Sequence, residues 1–299
     1  MKLVLYDDYR LGILKNGHVV DAMSAVQDLS FNHPQDLIET VITRWPELKP
    51  RIEEATNNKE GISLDNVTFR PPVPKPPKII CAAVNYLEFG QRKAAEMDAF
   101  IKASTSVIGS GGTVELPSIN ASVFHHEPEL AFVIGKTASK VNESEAMGYI
   151  FGYVNFLDMS ARGITPNKFR SFWLGKSWDT FGPMGPAITT VDEIPDPHAL
   201  QIRLWNNGEA RHDFPTSDMA YSIPCLIAAY SNITTLEPGD IIATGVNHQQ
   251  IGPVQDGDVI HMEIKELGPP LTVNIHDPLQ RKWPRGIDHA FAAGILSRS

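Results

Sequence analysis

The segment that most constrains this chain is His125-His126-Glu127-Pro128-Glu129 running straight into Leu130-Ala131-Phe132-Val133-Ile134-Gly135. An apolar run with β-branched residues reads as a strand. On a strand, residues two apart share a face, so Glu127 and Glu129 project side by side. Like charges at that spacing repel unless a cation lies between them. A hard divalent ion such as Mg²⁺ or Mn²⁺, which prefers oxygen ligands, meets that need. Two exposed glutamates on a solvated strand face are the plainer alternative.

Downstream, Gly152-Tyr153-Val154-Asn155-Phe156-Leu157 reads as a second apolar strand that ends in Asp158 and continues as Met159-Ser160-Ala161-Arg162. By itself Asp158 suits a helix N-cap. Beside Glu127 and Glu129 it completes a set of three carboxylates, and carboxylates plus water suit an octahedral ion that keeps positions open for substrate. Residues 175–186, from Gly175-Lys176-Ser177 to Gly185-Pro186, are dense in Gly and Pro and form a structured loop. Near a metal, Lys176 would bind a substrate carboxylate or an enolate oxygen; without such neighbours it is a solvent-exposed loop lysine.

Together these segments make the chain resemble the fumarylacetoacetate hydrolase family. The matching residues are Asn85-Tyr86, His126-Glu127-Pro128-Glu129-Leu130, Asp158-Met159-Ser160-Ala161-Arg162, Gly175-Lys176-Ser177-Trp178-Asp179, Asn207-Gly208-Glu209 and Leu236-Glu237-Pro238-Gly239-Asp240, with Ala243-Thr244-Gly245 closing the last block. They occur in the family's order over roughly residues 75 to 265. The resemblance implies a β-rich α+β fold built on a mixed β-sheet roll, one divalent ion (Mg²⁺ or Mn²⁺) per subunit on Glu127, Glu129 and Asp158, and a homodimer. It implies action on oxo acids or 1,3-dicarbonyl compounds. Tyr86 and Arg162 would hold the substrate's acid group, and Thr244 and Gly245 would offer a hydroxyl and a backbone N–H. As a Lewis acid the ion would stabilise the enolate formed on C–C cleavage, with Lys176 adding positive charge there.

The departures from the family are informative. Members commonly carry a His shortly after the Asn-Tyr, working as a base with a Glu of a short lid helix; here Leu87-Glu88-Phe89-Gly90 follows. Glu96 is the candidate for the lid glutamate. Gly163 replaces an acid, Thr165 stands where a Gln is common in part of the family, and Val246-Asn247-His248-Gln249-Gln250 follows Gly245. His248 is therefore the candidate base or substrate ligand, since histidine titrates near neutrality. His126 alternates with Glu127 and should face away, whereas His125 shares the face of Glu127; both are read as mainly structural. Two enzymatic readings stay open: a metal-dependent hydrolase cleaving a C–C bond in a 2,4-dioxo acid through a metal-bound enolate, or a decarboxylase, tautomerase or dehydratase of a 2-oxo acid on the same site. A non-catalytic protein that binds a small acid is the third. No Gly-x-Ser-x-Gly occurs, which argues against a serine nucleophile.

Organisation along the chain is consistent with this. A net charge of −9 argues against nucleic acid as a partner, and no apolar stretch approaches the roughly 20 residues of a membrane span. Cys81 and Cys225 make no disulfide framework, and a cytoplasmic location is the default. Residues 1–72 read as a small N-terminal α/β domain, with a hairpin turning at Asn16-Gly17 and helical spacing over 34–56. The Pro-rich stretch Pro71–Lys78 leads into a catalytic domain over 73–299. In it, Ile79–Val84 reads as a buried strand, 87–98 as a short helix and 217–231 as a longer one. The tail from 276 runs past the common core; it is expected to pack on a partner subunit or to be partly disordered.

Overall fold

The computed structural model describes residues 1–164 and 171–297; the Thr165 departure lies outside them. Among the described residues, eleven strands form one mixed sheet. Its centre is the antiparallel pair Pro128–Ile134 and Ile150–Leu157. Every residue of both strands is buried, which explains why they read as continuous apolar runs rather than alternating ones. Leu130, Phe132 and Ile134 point into one core, and Ala131 and Val133 into another on the opposite face. Ile241–Ala243 pairs antiparallel with Pro128–Ile134 and parallel with Ile79–Ala83. Asp98–Lys102 then closes that edge. A second sheet, containing the Gln201–Asn206 and Val259–Glu263 strands, completes the β-rich α+β roll.

The N-terminal strands continue the large sheet. Lys2–Tyr6 pairs with Ala187–Thr190 and with Arg10–Lys15. The turn to His18–Asp21 uses Asn16 (φ 52°) and Gly17 (φ 74°), the left-handed pair that matches a hairpin's twist. The 34–56 stretch forms two helices, α1 (Pro34–Thr43) and α2 (Trp45–Thr56), meeting at Arg44. Pro46 enforces the break by opening the second helix.

Residues 87–98 are not helical, contrary to the sequence expectation. Leu87 and Phe89 donate backbone N–H bonds to the Asp218 carbonyl (2.9 Å) and carboxylate (3.0 Å), and Glu88 and Phe89 are left-handed (φ 56° and 58°). These external bonds replace an i→i−4 ladder. The helix expected over 217–231 begins later. After α3 (Phe172–Lys176), α4 spans Ile223–Ile233, started by Ser222, whose hydroxyl accepts from Cys225 N. The tail folds onto this same chain as α5 (His289–Leu296).

His126 faces away from Glu127, as the alternation requires, and meets His212 at 3.1 Å between ring nitrogens in the core. Burial pushes His126 down to about 3 and His212 well below the usual histidine value. Both are thus held neutral in the fold, while in the unfolded chain they take up protons near pH 6.5. A depressed folded-state value means that this contribution to stability is complete above pH 6.5 and declines as the pH falls below it. Thermal melts should show a Tm that drops between about pH 6.5 and 4, with a shallower drop in His212→Phe; an identical slope in that variant would show that His212 does not contribute.

Candidate active site

The strand register brings the three carboxylates together. Pro128 pairs with Leu157 and Glu129 with Phe156, so the next rung sets Glu127 opposite Asp158, whose N–H donates to the Glu127 carbonyl at 2.9 Å. Glu129 shares the Glu127 face. Glu127, Glu129 and Asp158 are buried, and each offers an oxygen within 4.8 Å of the others. On the other side of Glu129, Thr244 N donates to Leu130 O at 3.0 Å and Gly245 N donates to Glu129 Oε2 at 2.7 Å. Gly245 is left-handed (φ 89°), and a Cβ there would lie 3.3 Å from the Ala82 carbonyl oxygen; only glycine brings this N–H so close without strain.

Cations surround the cluster. Lys176, at the end of α3, donates to Glu127 Oε2 and Asp158 Oδ2, both at 2.5 Å. Lys102, fully buried (0 % exposed), donates to Asp158 Oδ1 at 2.7 Å, and Arg162 is bonded to the other Glu127 oxygen. Burial would raise Glu127, but Lys176 and Arg162 outweigh it and hold this carboxyl below the usual range. Glu129 is raised, by burial and then by the charge of Asp158. Burial opposes the charge on Lys176, but Asp158 and Glu127 prevail and keep it an ammonium. The cluster thus holds oxygen donors only, already gathers cationic groups, and leaves Glu129 with the least compensation. That donor set fits a hard divalent ion.

His248 lines the same cavity, about 340 Å³ in volume. Its Nδ1 lies 2.8 Å from Glu88 Oε1, and its backbone N–H donates to Glu88 Oε2 at 2.8 Å. Gln249 Nε2 also donates to Glu88, at 3.1 Å. Glu88 is fully buried (0 % exposed). A carboxylate facing Nδ1 favours the tautomer that carries its proton there, which leaves the lone pair on Nε2.

Glu127, Glu129, Asp158, Arg162, Lys176, Gly245 and His248 all line the cavity. Tyr86 and Thr244 sit behind its wall: the Tyr86 ring packs edge-on against Phe214 at 5.2 Å, and Thr244 Oγ1 donates to Leu130 O. Glu96 stands apart, exposed ahead of the Asp98–Lys102 strand, and the carboxylate that meets His248 is Glu88. His125 supports Arg162, which donates to His125 Nδ1 at 3.5 Å, while the far ring nitrogen meets Asp288 at 3.1 Å. Lys102, Glu88, Asp288 and Phe291 escaped the sequence reading. Glu88 carried a signal, following Asn85-Tyr86 by two positions, but its partner is 160 residues away.

The family described as fumarylacetoacetate (FAA) hydrolase C-terminal matches residues 78–272. Maleylpyruvate hydrolase of Aquipseudomonas alcaligenes is 34% identical over 285 residues, spanning 90% of this chain and 97% of its own. The mitochondrial oxaloacetate tautomerase of Xenopus laevis is 38% identical over 223 residues, 71% of this chain and 70% of its own. A crystal structure of maleylpyruvate hydrolase from Sphingobium sp. SYK-6 in complex with manganese (II) ion and pyruvate superimposes with a TM-score of 0.83 at 36% identity, covering 93% of this chain and 99% of that one.

If the carboxylates bind the ion, Glu129→Gln and Asp158→Asn should weaken Mn²⁺ binding by at least the roughly 10- to 100-fold that loss of even a supporting residue costs. Calorimetry on chelator-stripped protein reads this directly, and binding as tight as that of the unaltered chain would remove them as ligands.

Proposed function

Because the chain belongs to the fumarylacetoacetate hydrolase family, we propose that it is a divalent-metal-dependent hydrolase cleaving a C–C bond in a 2,4-dioxo acid, with His248 as the base. The observation that carries this reading is the buried Glu88–His248 pair in the wall of the carboxylate cavity. It supplies, from the loop after Gly245, the water-activating group that relatives with a His after Asn-Tyr hold elsewhere.

Glu127, Glu129 and Asp158 would hold the ion, which when bound supplies Lewis acidity toward substrate oxygens. Fully ionised, the three carboxylates are matched by Lys102, Lys176 and Arg162. A divalent ion therefore leaves the site with an excess of positive charge, suited to a substrate with two negative charges. His248 Nε2 takes a proton from water as that water adds to the acyl carbonyl carbon. The C–C bond breaks, its electron pair passes into the enolate of the 2-oxo acid, and the imidazolium returns the proton to carbon. Dioxo acid plus water thus gives a carboxylic acid and a 2-oxo acid. Lys176 and Arg162 provide fixed charge where the oxyanion develops.

Oxaloacetate tautomerisation is the second reading, favoured by the Xenopus relative; it needs the same ion and a proton shuttle but no water addition. The test uses chelator-stripped protein with maleylpyruvate, acetylpyruvate and oxaloacetate, with and without Mn²⁺ or Mg²⁺, read by product NMR. Metal-dependent formation of two acid fragments is expected, with His248→Gln lowering kcat by about 10²-fold or more. Enol–keto interconversion without cleavage would replace this reading with the second.

Three further assignments belong to the same reading. Residues 1–72 form the N-terminal domain and 73–299 the catalytic one, supported by a cavity lined only from Ala82 onward. The two free cysteines suit a reducing compartment such as the cytoplasm; no helix among the described residues is long and apolar enough to cross a membrane. Finally, the chain forms a homodimer, supported by the apolar surface on the edge strand and the helix packed on it: Ile101 is 50 % exposed, Trp173 61 %. Light scattering should give about twice the 33.0 kDa chain mass, and Ile101→Glu with Trp173→Glu should halve it; a monomeric parent protein would exclude the dimer.

A further inference from the structure

The family match ends at residue 272, yet the cavity does not. Phe291 and Ile295, both on α5, form part of its wall alongside the carboxylates and His248. The helix is fastened where it meets the site. Asp288 caps it, accepting from Phe291 N at 2.9 Å, and its second oxygen holds His125. Asp288 N donates to Ile251 O at 2.8 Å, and Gln249, itself bonded to Glu88, reaches the Ala292 carbonyl at 3.4 Å. Just upstream the chain passes so near the His248 loop that a Cβ on Gly252 would collide with the Gly286 carbonyl oxygen.

The Phe291 ring sits among the groups that would handle substrate. The Arg162 guanidinium lies over it, 4.6 Å from its centroid, the His125 ring meets it edge-on at 4.8 Å, and the His248 ring lies 6.1 Å away. A ring held from several sides cannot swing away cheaply, because neighbouring packed groups would have to move with it. The cavity is therefore polar at the carboxylates, and the C-terminal helix adds Phe291 and Ile295 to an apolar lining that also includes Phe100, Ile164, Phe172 and Val246.

We propose that α5 is the specificity element of this site: Phe291 and Ile295 form the wall against which the acyl end of the substrate stops, restricting the site to short-chain 2-oxo and 2,4-dioxo acids. The assignment rests on the metal-dependent oxo-acid reading above, but not on whether the reaction is hydrolysis or tautomerisation. A ligand anchored at the ion by its oxo-acid end has a fixed reach, so each added methylene presses on the ring instead of gaining the roughly fourfold affinity that burial of a methylene brings.

The test is calorimetric binding of straight-chain 2-oxo acids, from pyruvate to 2-oxooctanoate, to the Mn²⁺-loaded full chain. In the parent protein, affinity should stop rising or fall beyond the shortest members. Phe291→Ala should admit chains longer by two methylenes, with a gain of roughly tenfold in affinity relative to pyruvate, and Ile295→Ala a smaller gain. Phe291→Trp, which needs no loosening of the helix, should shift the cutoff to shorter chains, and thermal melts identify any variant that has lost its fold. A chain-length profile unchanged in all three folded variants would overturn the proposal. If no 2-oxo acid binds the metal-loaded parent protein, the oxo-acid reading fails instead; if the acids bind and the profile moves without turnover of any dioxo acid, the wall stands and hydrolysis does not.

Discussion

The pairing of Pro128–Ile134 with Ile150–Leu157 sets almost everything else in the site. Its register places Glu127 opposite Asp158, and the two-residue period of the strand brings Glu129 to the same face. Carboxylates buried this deeply are tolerated only with compensation. The compensation comes from three separate places: Lys102 at the end of an edge strand, Lys176 at the end of a short helix, and Arg162 just past Asp158. A one-residue slip in the register would turn the glutamates into the opposite core and leave the cations without partners. The apolar strand faces that fix the register and the charged cluster at their end are therefore interdependent.

The His248 side of the site follows a different logic. Its geometry depends on backbone in uncommon conformations: Val84 (φ 54°), Glu88 and Phe89 are all left-handed without being glycine, and for a β-branched residue such as Val84 that is rare. Each such residue costs of order 1–2 kcal/mol. The neighbouring bonds offset this. The Asn85 side chain bridges Thr244 O and both main-chain groups of Tyr221, and Asp218 holds the Leu87 and Phe89 N–H groups. The result turns Glu88 inward to meet His248.

The two halves differ in how far they could be read in advance. Glu127, Glu129, Asp158 and Arg162 were legible because each lies in or beside a strand whose period fixes its direction, and Lys176 because it stands in a Gly- and Pro-rich block of the same ordered family pattern. His248 was legible only as an oddity in its loop. Glu96, chosen for a lid helix, lies exposed in a segment that is not helical: Leu87 and Phe89 bond to Asp218, and the bonds from Gln91 N to Glu88 O and from Arg92 N to Leu87 O close a turn instead of a helical ladder. Lys102 carried little local signal, since a lysine closing the short apolar run Ala99-Phe100-Ile101 looks solvent-facing until its sheet position is known.

By itself, then, the sequence determined the strands, the shared face of Glu127 and Glu129, and the type of chemistry that oxygen-only donors beside a lysine can support, because these depend on periodicity and residue type within a few positions. The tertiary structure alone decided which carboxylate meets His248, that Lys102 joins the cations beside Asp158, and that the C-terminal helix, held by Asp288 against His125, lines the cavity with Phe291 and Ile295. Those contacts join residues 56 to 163 positions apart. No local pattern encodes them, because they are fixed only when separate strands and helices pack into the same core.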